Sequence, residues 1–367
     1  MLNDKEHRIL ELIKKNPYIT QQDIANELSL SRSGIAGYIS SLIKKGKIVG
    51  RAYVISTEEN VLCIGGANLD RKAQVRTEIK WKDSNPVTYT ESLGGVARNI
   101  AENLARLQVS TSLLTAVGMD NIGEKLIVET SATQIDMTPT VRLSNNMTGT
   151  YTAILNEKGE MVVALADMDI YDSVQTDNLK ELWSHIKSAS IVVLDTNFPK
   201  EVLTTVIKER AVVEGILVLV PVSSMKMDRM PDDLSGIDFL ICNEEELQVL
   251  INKYELNCPQ QIDAMDAILK LGVKNIVVTC GDEGLTFLSQ SGDFHSIPIV
   301  KSEVKDVTGA GDALAAGIIY GLQKGKDIKE ACMFGLAAAK LTVSSTKTVS
   351  NDLTEEALIQ IVAESFK

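Results

Sequence analysis

The sequence predicts an α/β protein: a doubly wound, mostly parallel sheet with a small β lid, preceded by a small helical head. Three observations lead there. Short continuous apolar runs such as Ile191-Val192-Val193-Leu194 suit strands buried on both faces. From about residue 60 onward these runs alternate with segments of helical periodicity, the pattern of a parallel sheet with crossover helices. Charge is divided as well: the net charge is −12, yet residues 1–57 hold nine Lys/Arg against five acids, leaving −16 for the rest. A basic head on an acidic body implies two domains, 1–57 and 58–367, with different partners.

Composition narrows the classes. With 367 residues, 44% hydrophobic and 23% charged, the chain suits one large domain plus a small one and is neither disordered nor fibrous. The start, Met1-Leu2-Asn3-Asp4-Lys5-Glu6-His7-Arg8, is mixed in charge and does not read as a secretory leader. No stretch reaches the roughly 18 apolar residues of a membrane helix. Cys63, Cys242, Cys258, Cys280 and Cys332 are far apart and odd in number, so reduced core thiols are expected. His7, His185 and His295 are equally scattered, which speaks against a histidine metal site or a Ser-His-Asp centre. A cytoplasmic protein without a membrane partner is expected.

In the head, residues 4–15 place Ile9, Leu12 and Ile13 on one helical face, and Asn16-Pro17 ends that helix. Thr20 is a good N-cap for a short helix that turns Ile24, Ala25 and Leu28 inward. Ser31 caps a third, with Ile35, Ile39, Leu42 and Ile43 as its buried stripe, and residues 47–55 read as a two-stranded wing. Helix, helix–turn–helix and wing in that order resemble a winged helix-turn-helix domain. Such a domain implies DNA as a partner, reached through Lys44, Lys45, Lys47 and Arg51; their plainer role is a solvated helix end and wing.

In the body, strands are expected at 61–64, 111–116, 190–194, 216–220, 237–241 and 275–279. Helices are expected at 95–107, 120–132, 200–211, 244–251, 260–271, 309–323 and 328–343. Residues 73–90 and 148–166 break this rhythm. They alternate, and 151–155 and 161–165 flank Asn156-Glu157-Lys158-Gly159 as a hairpin. These pieces form the lid.

The strongest chemical signal is Asp306-Val-Thr-Gly-Ala-Gly-Asp312. Gly309, Ala310 and Gly311 open an apolar helix, so their backbone N–H groups can approach an anion where the helix dipole is positive. Asp312 lies in the first turn, placed to accept a proton from an alcohol attacking a phosphoryl group. Taken alone, the same residues would make a glycine-rich turn with an acid complementing the dipole.

Two further motifs stand in order. Gly65-Gly66-Ala67-Asn68-Leu69-Asp70 follows the first strand, and Gly94-Gly95-Val96-Ala97-Arg98-Asn99-Ile100-Ala101 opens a helix leading to Ala116-Val117-Gly118-Met119-Asp120. With 306–317 they resemble the ribokinase-like, PfkB family of carbohydrate and nucleoside kinases, over about residues 60–365. The resemblance implies a ribokinase-like fold, ATP with Mg²⁺, and Asp312 as base beside an anion hole of Gly309, Ala310 and Gly311. It implies that Asp70, Gly94, Gly95 and Asn99, with Asn68 nearby, hold sugar hydroxyls. Asn243 and Glu246 match a motif that orders magnesium and phosphates through water; a capped helix start is the plainer role. Thr279, Gly281 and Gly284 match a nucleotide-binding turn, otherwise a hairpin turn, and Asp306 and Thr308 fall where relatives place a K⁺ loop.

Within the family, the fused head, 65–72, 166–170, Pro221-Val222-Ser223 with Lys226, and 341–349 look like bacterial pseudouridine kinases. That branch implies the 5′-hydroxyl of pseudouridine as acceptor, with Asp167 or Asn197 facing base or ribose. Val220, where an Asp is usual, and Gln108, in place of a common Gly, depart from the pattern. Ribose, fructose or inosine remain as alternative acceptors, as does a transcriptional regulator with a kinase-like sensor. The lid edges suggest a homodimer.

Overall fold

The computed structural model describes residues 2–16, 19–49 and 60–366. The head comprises α1 (Asp4–Lys15), α2 (Gln21–Glu27) and α3 (Arg32–Lys44) around its own core of Ile9, Ile13, Ile24, Ile35 and Leu42. Thr20 and Ser31 cap α2 and α3 through the amides of Asp23 and Gly34. Ile43 departs from expectation: it is 42% exposed, and Ile48 closes the core in its place. Lys45 binds both carboxylate oxygens of the buried Glu6, so its ammonium braces α1 against the end of α3 and is not a spare charge for phosphate. Most of the expected wing, 50–55, and Arg51 lie outside the described residues.

The body opens with β1 (Val61–Ile64), β2 (Asn68–Val75), β3 (Val87–Gly94), α4 (Val96–Arg106), β4 (Thr111–Leu114), β5 (Ala116–Gly118) and α5 (Asn121–Ser131). It continues through β6 (Val141–Leu143), β7 (Thr150–Leu155), β8 (Met161–Asp167), α6 (Trp183–Ser188), β9 (Ile191–Asp195), α7 (Lys200–Ala211) and β10 (Ile216–Val220). After these come β11 (Phe239–Asn243), α8 (Glu244–Lys253), α9 (Gln261–Lys270), β12 (Asn275–Thr279), β13 (Leu285–Ser289) and β14 (Phe294–Ile297). The chain closes with α10 (Ala310–Gln323), α11 (Ile328–Val343) and α12 (Glu355–Ser365).

The main sheet runs β14-β13-β12-β11-β10-β9-β1-β4. Strands β4 to β12 in that order are parallel, and β13 and β14 add an antiparallel edge. Successive strand residues feed opposite layers: Val61, Cys63, Ile191 and Val193 pack with α4, α10 and α11, whereas Leu62, Ile64, Val192 and Leu194 pack with α7, α8 and α9. This is the doubly wound fold expected. All five cysteines are free thiols, four of them buried, and no helix among the described residues is long and apolar enough to cross a membrane.

The lid is a separate sheet, β3-β2-β7-β8, reaching further toward the main sheet than the expected 73–90 and 148–166. Its register sorts its two faces. Asp70, Lys72, Ser92, Thr90, Tyr151, Ala153 and Ala166 share one; Leu69, Arg71, Glu91, Thr150 and Asp167 share the other. The second face is tied to α5 by Arg71–Glu91–Lys125. The first meets the loop before α10, where Lys72 Nζ lies 3.9 Å from Asp306.

The expected 111–116 strand is broken into β4 and β5. Gln108, just before it, has φ +59, a conformation glycine favours, which is the physical content of the departure at that position.

Candidate active site

The chemistry-bearing motifs of the body gather at the carboxyl-terminal edge of the parallel strands, where open α/β sheets bind ligands. Asn68 follows β1, Asp195 ends β9, Asn243 ends β11 and Thr279 ends β12.

Helix α10 begins on Gly309, whose φ of +82° suits a residue without a side chain. A methyl there would also strike the Thr348 carbonyl, whereas Gly311 faces open space. No side chain caps this helix among the described residues, so its first turn presents backbone N–H groups outward, apart from that of Ala310, which donates to the Val307 carbonyl at 3.2 Å. Asp312, one residue further, is half-buried and accepts a 2.8 Å hydrogen bond from Asn99 Nδ2. Loss of water around its carboxylate pushes its pKa up to about 7; Asn99 opposes the rise, and the nearby Asp195 and Asp70 add to it. A carboxylate with that proton affinity can take a proton from an alcohol near neutral pH.

Helix α4 also begins on a glycine, but its first turn is closed: Ala97 N donates to the Asp195 carboxylate and Arg98 N to the Gly66 carbonyl, each at 3.2 Å. Gly95, at φ +102, provides no side-chain cap, and a Cβ there would collide with the Gly66 carbonyl. A Cβ on Gly94 would collide with the Asp70 carboxylate. Asp70 in turn accepts a 2.5 Å hydrogen bond from Asn68 Nδ2. Its pKa is raised by burial, against the pull of Asn68, Lys72 and Arg98. Asn68, Asp70, Gly94, Gly95, Asn99 and Asp312 therefore form one constellation, assembled from β2, the end of β3, α4 and α10.

Asn197 joins it from β9. It is buried, donates to Asp195 at 2.9 Å and accepts from Lys226. Lys226 also lies over the Tyr171 ring, 5.7 Å from its centroid. Asp167 does not join: it is exposed and lies on the lid face opposite Asp70, which leaves Tyr151 and Ala166 on the Asp70 face at that level.

Asn243 and Glu246 form a reciprocal cap at the start of α8, with Glu246 N to Asn243 Oδ1 at 2.8 Å and Asn243 N to Glu246 Oε2 at 3.0 Å. The plainer role is thus realised, and the buried Glu246, its pKa pushed up to about 7 by desolvation, keeps its other oxygen out of that cap. Gly281 and Gly284, both at positive φ, make the turn of the β12–β13 hairpin just after Thr279. Asp306 Oδ1 accepts from Thr308 N at 2.9 Å and Thr308 Oγ1 at 2.7 Å, so the loop before α10 is braced by its own side chains. Val220 is a buried core residue at the end of β10.

Three residues escaped the sequence reading. Asp195 is fully buried among backbone amides, Tyr171 both accepts from Ala67 N and donates to Ala67 O, and Lys72 bridges lid and loop. The available signal was position: Asp195 is a charged residue directly ending an apolar strand, as Asn243 is a polar one.

Comparison with known proteins agrees with this geometry. Residues 58–355 match the pfkB family carbohydrate kinase model, and residues 2–49 match winged helix-turn-helix DNA-binding. The chain belongs to the pfkB family. It is a sugar or nucleoside kinase, a phosphotransferase with an alcohol acceptor. An uncharacterized sugar kinase of Escherichia coli, YeiI, is 29% identical over 98% of this chain and 99% of its own, a span that takes in the head. The pseudouridine kinase of E. coli is 30% identical over 83% of this chain and 97% of its own. A solved carbohydrate kinase from Agrobacterium tumefaciens superposes with a TM-score of 0.74 at 31% identity, covering 83% of this chain and 97% of that one.

Proposed function

We propose that this pfkB-family kinase transfers the γ-phosphoryl group of ATP to the 5′-hydroxyl of pseudouridine. The observation that carries the reaction is the Asn99–Asp312 hydrogen bond, which joins two glycine-started helices, α4 and α10, of which α10 has no side-chain cap, below the Asp70 face of the lid. The acceptor is supported by the 30% identity to a pseudouridine kinase along nearly its whole length.

Asp70, with Asn68, Gly94, Gly95 and Asn99, holds the ribose hydroxyls; Asn197 and Lys226 line the same end of the sheet. The attacking oxygen forms its bond to the γ-phosphorus as the bond to the β-phosphate bridging oxygen breaks. Its proton passes to Asp312, and ADP leaves. Backbone N–H groups of Gly309 and Gly311 meet the charge on the transferred group, joined by that of Ala310 when its 3.2 Å bond to the Val307 carbonyl opens. Thr279, Gly281 and Gly284 face the nucleotide. Asn243 and Glu246 offer oxygens suited to the waters of a Mg²⁺ ion, which when bound neutralises phosphate charge. Asp306, whose Oδ1 accepts from Thr308 N and Oγ1, shapes with Thr308 the loop before α10 in which a K⁺ would sit.

The same reading divides the chain at 57/58, with a cytoplasmic kinase body of 58–367 and a head that binds DNA through α3, where Arg32, Ser33, Ser40 and Lys44 are exposed. A second copy covers the free edge of β8, on which Met161, Val162, Val163 and Leu165 are exposed.

Mass spectrometry of reactions with ATP, Mg²⁺, K⁺ and pseudouridine, uridine, inosine, ribose or fructose tests the acceptor. A new monophosphate from pseudouridine alone is expected; product from ribose or fructose instead would discard the nucleoside and keep the kinase. A gel shift with upstream DNA at two salt concentrations tests the head, and no binding even at low salt would remove DNA as its partner.

A further inference from the structure

We infer that Asp195 is a positioning residue of the transfer centre: it anchors both acceptor-binding segments and sets the electrostatic surroundings of Asp312. The inference deepens the function proposed above and rests on Asp312 acting as the base.

Asp195 ends β9 and is 0% exposed. Its carboxylate accepts from Gly66 N at 2.8 Å, Ala97 N at 3.2 Å, Asn197 N at 2.7 Å and Asn197 Nδ2 at 2.9 Å. Those donors come from three separate segments. Gly66 lies in the turn that delivers Asn68 and Asp70; Ala97 lies in the first turn of α4, two residues before the Asn99 that holds Asp312. One carboxylate thus ties the two acceptor segments to the rigid end of a central strand. The fit is close enough that a Cβ on Gly65 would collide with the carboxylate, and one on Gly66 with the Asn197 amide.

A buried carboxylate is expensive to keep unless hydrogen bonds satisfy it, and a neutral residue would pack here at lower cost. The charge has a second consequence. Asp312 is faced by Asp195 and Asp70 and by the neutral donor Asn99. Asp195, its own pKa raised by burial against its hydrogen bonds, is faced by Lys226, which itself sits between Arg229 and Asp172, and by the neutral Cys63 thiol and Tyr171 hydroxyl; Asp70 is faced by Lys72, Arg98 and Tyr171. The negative charge of Asp195 therefore raises the proton affinity of Asp312 and moves it toward neutrality.

The test uses the full chain with ATP, Mg²⁺ and whichever panel acceptor releases ADP fastest. In Asp195→Asn, KM for the acceptor is expected to rise about tenfold with KM for ATP nearly unchanged, because the acceptor loops lose their shared anchor. The acid limb of the kcat–pH profile is expected to move to lower pH by roughly half a unit or more, since a like charge beside Asp312 is gone. A limb that stays at its wild-type position would overturn the electrostatic role and leave a purely structural staple. Gly65→Ala provides the second arm: it keeps the charge but displaces the carboxylate, so acceptor KM rises while the limb moves less than in Asp195→Asn. An unchanged acceptor KM there overturns the anchoring role even if Asp195→Asn fails to fold. Asp312→Asn separates the two levels. Normal turnover in that variant defeats the base assignment itself; an inactive Asp312→Asn beside a wild-type-like Asp195→Asn defeats only the inference.

Discussion

Helices α8 and α10 start at the same edge of the sheet, and both carry an acid near neutrality in the first turn, yet they finish that turn differently. At α8, Asn243 and Glu246 cap each other, which engages two of the donors at that helix start. At α10 the cap position is Gly309, and no side chain closes the turn. A helix end satisfied by its own side chains can at most organise water at its surface. One left open can receive an anion, aided by the dipole. On the function proposed above, the contrast is between an accessory site at α8 and the site of transfer at α10.

Removing the base breaks the comparison most completely. Asp312→Asn should lower kcat by about 10²–10⁴-fold with acceptor KM little changed, measured by steady-state ADP release. It should also report on stability. A carboxylate whose folded pKa is about 7 and whose ordinary value is 3.8 binds more protons folded than unfolded across that window, so the wild-type fold loses stability as pH rises through it. The Asn variant escapes this loss. Its melting temperature should exceed that of wild type at pH 8, and the difference should vanish near pH 4.

The next largest effect is expected from Gly309→Ala. It forces a Cβ into a φ of +82° and against the Thr348 carbonyl, at a cost of about 1–3 kcal/mol by denaturant titration, with loss of most turnover. Asn243→Ala should be milder. It removes one arm of the α8 cap, about 1 kcal/mol of stability, and should raise KM for ATP while sparing KM for the acceptor. An equal rise in both constants would erase the distinction between the two helix starts. Smallest is Lys72→Ala: the 3.9 Å pair with Asp306 is partly exposed, so less than about 1 kcal/mol should be lost, seen as a modest rise in acceptor KM.

Much of the body was legible because buried parallel strands and their crossover helices carry strong local patterns. The expected 61–64, 200–211, 216–220, 275–279 and 328–343 coincide with β1, α7, β10, β12 and α11. The antiparallel pair β13–β14 and helix α12 escaped, as did the inner ends of the lid strands. In the lid the reason is local: the inner ends of β2 and β3 carry Asn68, Asp70 and Gly94, residue types that read as turn or helix start and not as strand. Ile43 went wrong for a different reason. It lies at the margin of the α3 stripe, where helical spacing alone cannot say whether a neighbour covers it.

The order of motifs, the glycine pairs, the acid after Gly309-Ala310-Gly311 and the capping residues Thr20, Ser31 and Asn243 are properties of short segments, and the sequence by itself determined them. Which of those residues meet was decided only in three dimensions. Asn99 reaches Asp312 across 213 positions and Asp195 reaches Gly66 across 129, distances over which no local periodicity extends. Strand pairing decided that Asp70, and not Asp167, faces the loop before α10. Each side chain's own conformation is governed by its neighbours in sequence. Its partner and its proton affinity are governed by whatever the packed sheet brings beside it.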